Sequence, residues 1–172
     1  MNIRHVKGSF VIEMLFVLLI LIGTFYFMTD ASHKLILRSK LDSISFSLVS
    51  ILKDRTRFFD ERAAINNSDF NDMEQLASRL LNEDISQFGI RVESLTEGSA
   101  LVTLSDSEFT SLGCNSETLD NKTTLVPEEE GTLYPLYQIS ICLQSDSWFA
   151  RAWGTSSSTN VTITSSSVMA GR

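Results

Sequence analysis

From Ser9 to Met28 the chain reads SFVIEMLFVLLILIGTFYFM, about 20 residues in which Glu13 is the only charged side chain. A helix of that length, at roughly 1.5 Å per residue, is long enough to cross the hydrocarbon layer of a bilayer. The rest of a 172-residue chain leaves room for one modest soluble domain, so the sequence reads as one anchor and one head. Glu13 is the feature out of place. An acidic residue at a bilayer centre costs about 2.5 to 3.5 kcal/mol on insertion scales. Near one end of the run it costs less, but it still calls for a partner or a function.

The N-terminus does not read as a cleaved secretory signal, which combines a basic region, an apolar core of about 7 to 15 residues and a small-residue cleavage site. Arg4, His5 and Lys7 supply the basic region, but the apolar core is too long and contains an acid, and Thr29-Asp30-Ala31 is a poor site. No cysteine is placed for a lipoprotein anchor. The stretch KGSFVIE resembles instead the junction of a class III, prepilin-type signal: a short basic leader ending in Gly8, then an apolar segment. With Ser9 as first mature residue, Glu13 is fifth. In pilins the glutamate at that position is matched with the free amine that cleavage creates, which neutralises two charges in lipid. The competing reading is a plain signal anchor with a stray acid. Charge bias does not settle orientation, because Lys34, Arg38 and Lys40 follow the span as closely as the leader's basic residues precede it.

Beyond Met28 the helical pattern continues. No Pro or Gly occurs from Thr29 to Phe59, and Leu37, Leu41, Ile44, Leu48 and Ile51 recur at helical spacing, with Leu52 and Phe59 widening the stripe. This predicts a membrane helix running straight into an amphipathic stem, about 75 Å from Phe10 to Phe59. The seam must bury against another chain or against the protein's own head. Gly23 hints weakly at close helix approach within the span.

The head is predicted to be α+β. NDMEQLASRLLNED reads as a short helix with Asn71 as N-cap and Glu74 three residues on. FGIRVESLTEGSALVTL alternates like a hairpin, with Phe88, Ile90 and Val92 on one face, a turn at Glu97-Gly98, and Leu101 to Leu104 returning. A polar loop follows from Ser105 to Gly131. LYPLYQISICLQ brings Cys142 in on a strand, SWFARAWG reads as its partner, and NVTITSSSV as a last strand. The Ser- and Thr-rich tail from Thr155 to Ser167 reads as an edge strand or a terminus.

Net charge is −7 and unevenly spread: seven basic and four acidic residues from Lys34 to Arg62, then five basic and fifteen acidic from Ala63 to Arg172. An acidic head argues against nucleic acid as its partner, since phosphate binding needs clustered Lys and Arg. Cys114 and Cys142 both lie in the head. In an oxidising compartment they pair; in a reducing one they remain two buried thiols.

Catalysis finds no footing. The only histidines are His5 and His33, outside the head, so no Ser-His or Cys-His nucleophile pair can form there. The chain has no phosphate-cradling glycine loop, no Cys-x-x-Cys and no metal-spaced histidine pair. The run Glu128 to Glu130 lacks the alternating oxygen ligands and turn glycine of a calcium loop. No enzyme and no cofactor is expected.

Lys7-Gly8-Ser9-Phe10-Val11-Ile12-Glu13 and the apolar helix after it resemble the minor pseudopilins of the tight-adherence (Tad) apparatus, the TadE and TadF type, with TadF the better fit. Typical pilins place a phenylalanine first in the mature chain; here Ser9 is first and Phe10 second. The resemblance implies a leader at 1–8, a transmembrane helix at 9–28, a stem at 29–59 and a periplasmic α+β head at 60–172. It implies processing between Gly8 and Ser9 and docking through Glu13 and Phe10; with the head exported, the even cysteine count favours a disulfide between Cys114 and Cys142. The implied place is the bacterial inner membrane, single-pass, with the N-terminus cytoplasmic. The implied partners are a prepilin peptidase, other Tad pseudopilins, the major Flp pilin and the inner-membrane assembly platform. The implied role is assembly or priming of the Flp type IV pilus, supporting adhesion and biofilm formation. The alternative is an uncleaved, signal-anchored periplasmic sensor or ligand-binding module.

Overall fold

With no proline and only Gly23 as an interior helix-weakening residue up to the stem, nothing local interrupts the first helix. In the computed structural model, helix α1 runs unbroken from Lys7 to Phe58, 52 residues or about 78 Å. The structure describes residues 7–58, 65–96, 100–120, 122, 126–129, 132–152, 154 and 160–171. The 1–6 part of the leader, Phe59, the Glu97-Gly98 turn and Glu130 lie outside the described residues.

The head folds onto the second half of α1. Helix α2 (Asn67–Leu81) is followed by a single 3-10 turn at Ile85–Gln87 and strand β1 (Phe88–Leu95). After β2 (Val102–Ser105) come the short helix α3 (Ser107–Ser111), a two-residue pair β3 (Glu128–Glu129) and β4 (Thr132–Leu133), and the long strand β5 (Leu136–Asp146). Helix α4 (Trp148–Ala152) and strand β6 (Asn160–Ala170) complete the chain. The main sheet has the order β2-β1-β5-β6, antiparallel throughout. The architecture is the expected α+β arrangement of one long N-terminal helix and a small antiparallel sheet.

One sheet face makes the core. Register sets Phe88 opposite Leu143, Ile90 opposite Ile141 and Val92 opposite Ile139. These side chains pack with Leu41, Leu48 and Leu52 of α1 and Met73, Ala77 and Leu81 of α2. Strand β6 lies along α1 through small side chains: the buried Ser45 hydroxyl is 3.1 Å from that of Ser165 and 2.8 Å from that of Ser167. Lys40 ties the end of α2 to α1 by donating to the Leu81 carbonyl at 2.7 Å, where helix carbonyls lack intrahelical partners.

Two local expectations are corrected. Helix α2 starts a turn earlier than the Asn71 reading, because Asn66 and Asp69 form a reciprocal capping box, each side chain accepting the other's backbone N–H at 2.9 Å. The SWFARAWG segment is not a strand: its described part forms α4, since Ser147 caps it by accepting the Ala150 N–H on its hydroxyl and the Arg151 N–H on its carbonyl.

The second sheet face is also covered, which the alternating sequence pattern did not predict. Register lines up Gly89 with Cys142, Arg91 with Ser140 and Glu93 with Gln138. The described part of the polar loop folds over them. Asp106 caps α3 by accepting the Phe109 N–H at 2.7 Å, and its other carboxylate oxygen accepts the Ile90 N–H at 3.1 Å. Burial pushes the Asp106 carboxyl above its ordinary range despite these two donors. Gly89 permits the approach, because a Cβ there would lie 2.5 Å from Phe109 Cα. Glu93, fully buried, accepts from Gln138 at 2.9 Å, and Gln138 also donates to the Glu117 carbonyl at 2.6 Å. Arg91 stacks over the Phe109 ring and donates to Ser116.

Candidate functional site

The residues singled out by sequence fall in three separate places, and the fold does not gather them. Gly8 and Ser9 belong to the first turn of α1. Phe10 and Glu13, three residues apart and so on one side of the helix, are exposed. Among the described residues no basic side chain lies within ion-pair distance of Glu13.

Along the stem, Leu41, Ile44 and Leu48 are buried and Leu37 packs at the edge of the core. The stripe departs from a strict heptad at its end: Ile51 is 46% exposed, and Val49 and Leu52 are buried in its place. A straight helix drifts relative to a seven-residue repeat, so the buried face rotates past position 51. In the head, Cys114 and Cys142 are joined by a disulfide across 28 residues, with Cα atoms 6.0 Å apart. The bond pins the covering segment to β5.

The first half of α1 has no protein partner over most of its surface. Sixteen large hydrophobic side chains from Phe10 to Met28 stand 47% to 68% exposed, and the helix reaches a mean hydropathy of 2.5. At about 1.5 kcal/mol for each such side chain, leaving them in water would cost on the order of 20 kcal/mol. This single apolar helix anchors the chain in a membrane.

Where that apolar surface ends, the structure builds a junction that sequence reading missed. Asp30 is only 7% exposed. Its carboxylate accepts from Lys34 Nζ at 2.9 Å, from the Ser147 hydroxyl at 2.9 Å and from the Trp148 N–H at 3.0 Å. Burial would raise this carboxyl, but the three donors and the nearby ammonium outweigh it and hold it below its ordinary value of 3.8. The Trp148 ring stacks on His33 with centroids 5.1 Å apart, and Phe149 meets Phe27 edge-on at 5.7 Å. Phe149 also closes a groove of about 470 Å³ along the span, lined by Leu19, Ile20, Gly23, Thr24 and Phe27. The sequence signals were slight: an acid and a lysine four apart just past the span, and an adjacent Trp-Phe pair far down the chain.

Among the described residues no group of three or more His, Cys, Asp or Glu side chains is arranged to hold a metal ion. What the geometry offers is surface: an apolar helix for lipid or neighbouring helices, and a head packed on its far half.

Comparison with known families gives one answer for nearly the whole chain. The family model TadF, described as "Putative tight adherence pilin protein F", matches residues 3–172. No curated protein matches, and no solved structure matches. The match covers the head as well as the anchor, and the architecture is pilin-like. The chain belongs to the TadF family of tight-adherence pilin proteins and is a pseudopilin of the Tad assembly system.

Proposed function

We propose that this chain is a minor pseudopilin that is cut between Gly8 and Ser9 by a prepilin peptidase and then helps prime or assemble the Flp pilus, so supporting adhesion and biofilm formation. The observation that carries this reading is the exposed Glu13 on an unbroken helix whose first half is free for lipid and neighbouring helices while its second half holds the head. A carboxylate in that position is uncompensated until a cation meets it. Cleavage after Gly8 makes one, the Ser9 amine, in the same or a neighbouring subunit, and Phe10 on the same side adds apolar contact to the docking face. The head lies in the periplasm, a placement supported by the Cys114–Cys142 bond, since such bonds persist in oxidising compartments. Its direct partners are other Tad pseudopilins, the major Flp pilin and the inner-membrane assembly platform.

The test is the intact mass and N-terminal sequence of the protein from its native membrane, with and without the peptidase. A chain beginning at Ser9 only when the peptidase is present is expected. Gly8 replaced by a bulky residue keeps the leader on, and Glu13→Ala leaves processing intact but abolishes piliation. A chain that still begins at Met1, together with indifference to Glu13→Ala, would return the protein to an uncleaved anchored sensor or ligand-binding module.

A further inference from the structure

We propose that α4 is a second membrane contact of the head, with Trp148 and Phe149 seated in the head-side leaflet of the bilayer that α1 crosses. The argument is one of depth. Because α1 is continuous, each residue's height along it is set at about 1.5 Å per residue. Phe149 touches Phe27 and closes the groove that runs back to Leu19, about 12 Å further along the helix axis. All the α1 residues in that groove belong to the apolar run that ends at Met28. If the run lies in the bilayer, Phe149 lies below its edge.

The chemistry is graded along the same axis. Along α1, Phe27 meets Phe149, Asp30 follows with its ion pair to Lys34, and His33 carries Trp148, so the phenyl lies deepest and the indole lies with the charged pair. That order, phenyl below and indole beside the ion pair, matches acyl chains and interface, where Trp is favoured at the boundary. Trp148 is 48% exposed, and its neighbour Phe149 shares one groove with Leu19, Ile20, Gly23, Thr24 and Phe27 of the span. Backbone polarity is also dealt with. The Trp148 N–H is taken by Asp30, the Ala150 N–H by the Ser147 hydroxyl and the Arg151 N–H by the Ser147 carbonyl, so these donors are not left bare in a region without water. Lipid is the occupant because Phe149 lines the same groove as residues of the apolar run that lipid surrounds.

The inference rests on α1 spanning a bilayer and is independent of leader processing. The full-length chain, reconstituted in phosphatidylcholine and phosphatidylglycerol vesicles, is compared in lipids brominated high or low on the acyl chain. Trp153→Phe isolates the Trp148 indole; the difference between wild type and Trp148→Phe measures the same indole with Trp153 untouched. Retention of the Cys114–Cys142 bond reports that the head is folded. The expected result is a blue-shifted Trp148 emission quenched most by the shallow bromines and shielded from aqueous iodide, with Phe149→Asp reversing both effects. A chain that floats with vesicles but whose Trp148 ignores bromolipid and is quenched freely by iodide overturns the proposal and leaves the anchor reading standing. So does a Gly23→Cys to Phe149→Cys crosslink between two chains that persists on dilution with lipid, which would give the groove to a second helix. A chain that does not float overturns the anchor and the proposal together.

Discussion

The two halves of α1 are made by the same helical rule and live in different surroundings. From Phe10 to Met28 the helix is apolar on every side and exposed on nearly every side; from Leu41 to Leu52 it carries a stripe, with Leu41, Leu48 and Val49 wholly buried and Phe46 57% exposed. The all-round pattern answers to lipid and the striped one to a sheet. The difference teaches that periodicity marks how many sides of a helix need apolar company, and that a change of pattern within one helix marks where one solvent gives way to another. Asp30 and Lys34 stand at that change.

The contrast can be broken in the head. Leu48→Ala removes a fully buried side chain between α1 and the sheet and is expected to lower head stability by about 3 to 5 kcal/mol, whereas Leu18→Ala leaves head unfolding unchanged. Denaturant titration followed by far-UV circular dichroism checks both, and an equal loss from Leu18→Ala would dissolve the distinction. Reduction of Cys114–Cys142 should come next, lowering head stability by about 3 to 4 kcal/mol for a loop of this length, with no change in vesicle flotation. Loss of flotation on reduction would show that anchor and head are coupled.

The junction gives the smallest effect and sharpens the contrast most. Asp30→Ala strands Lys34, the Ser147 hydroxyl and the Trp148 N–H, and is expected to weaken α4 docking by about 1 to 3 kcal/mol, read from Trp148 fluorescence. Acid has the same sense. Because the folded carboxyl is held below 3.8, its contribution is fully present above that pH and fades as pH falls through the lower folded value. Asp30→Asn abolishes that acid-dependent step. Docking in wild type that strengthens as pH falls would contradict the assignment.

How much of this was legible depended on how far apart in the chain the deciding groups lie. Helix α1 is legible almost end to end because continuity is local: no Pro, Gly23 alone past the first turn, and a stripe visible in consecutive turns. The hairpin of β1 and β2 was legible for the same reason, from alternation over a short stretch. The start of α2 was misread because Asn66 and Asp69 cap as well as Asn71 and Glu74, and propensity alone does not choose between them. A seven-residue count puts Ile51 in the seam, but it ignores the drift of a straight helix, which leaves Ile51 46% exposed beside the head.

The sequence by itself determined the anchor, the continuous stem, the α+β class and, through the residues from Lys7 to Glu13, the kind of leader it resembles. Only the tertiary structure decided which polar groups are interior. Gln138 and Glu93 are buried as a pair 45 residues apart, and Asp30 reaches Ser147 across 117 residues. Burying a polar group is costly unless partners complete its hydrogen bonds. When those partners come from distant segments, no local pattern announces them, and the polar loop that closes the back of the sheet and the helix α4 that returns to the end of the apolar run become visible only once the chain is folded.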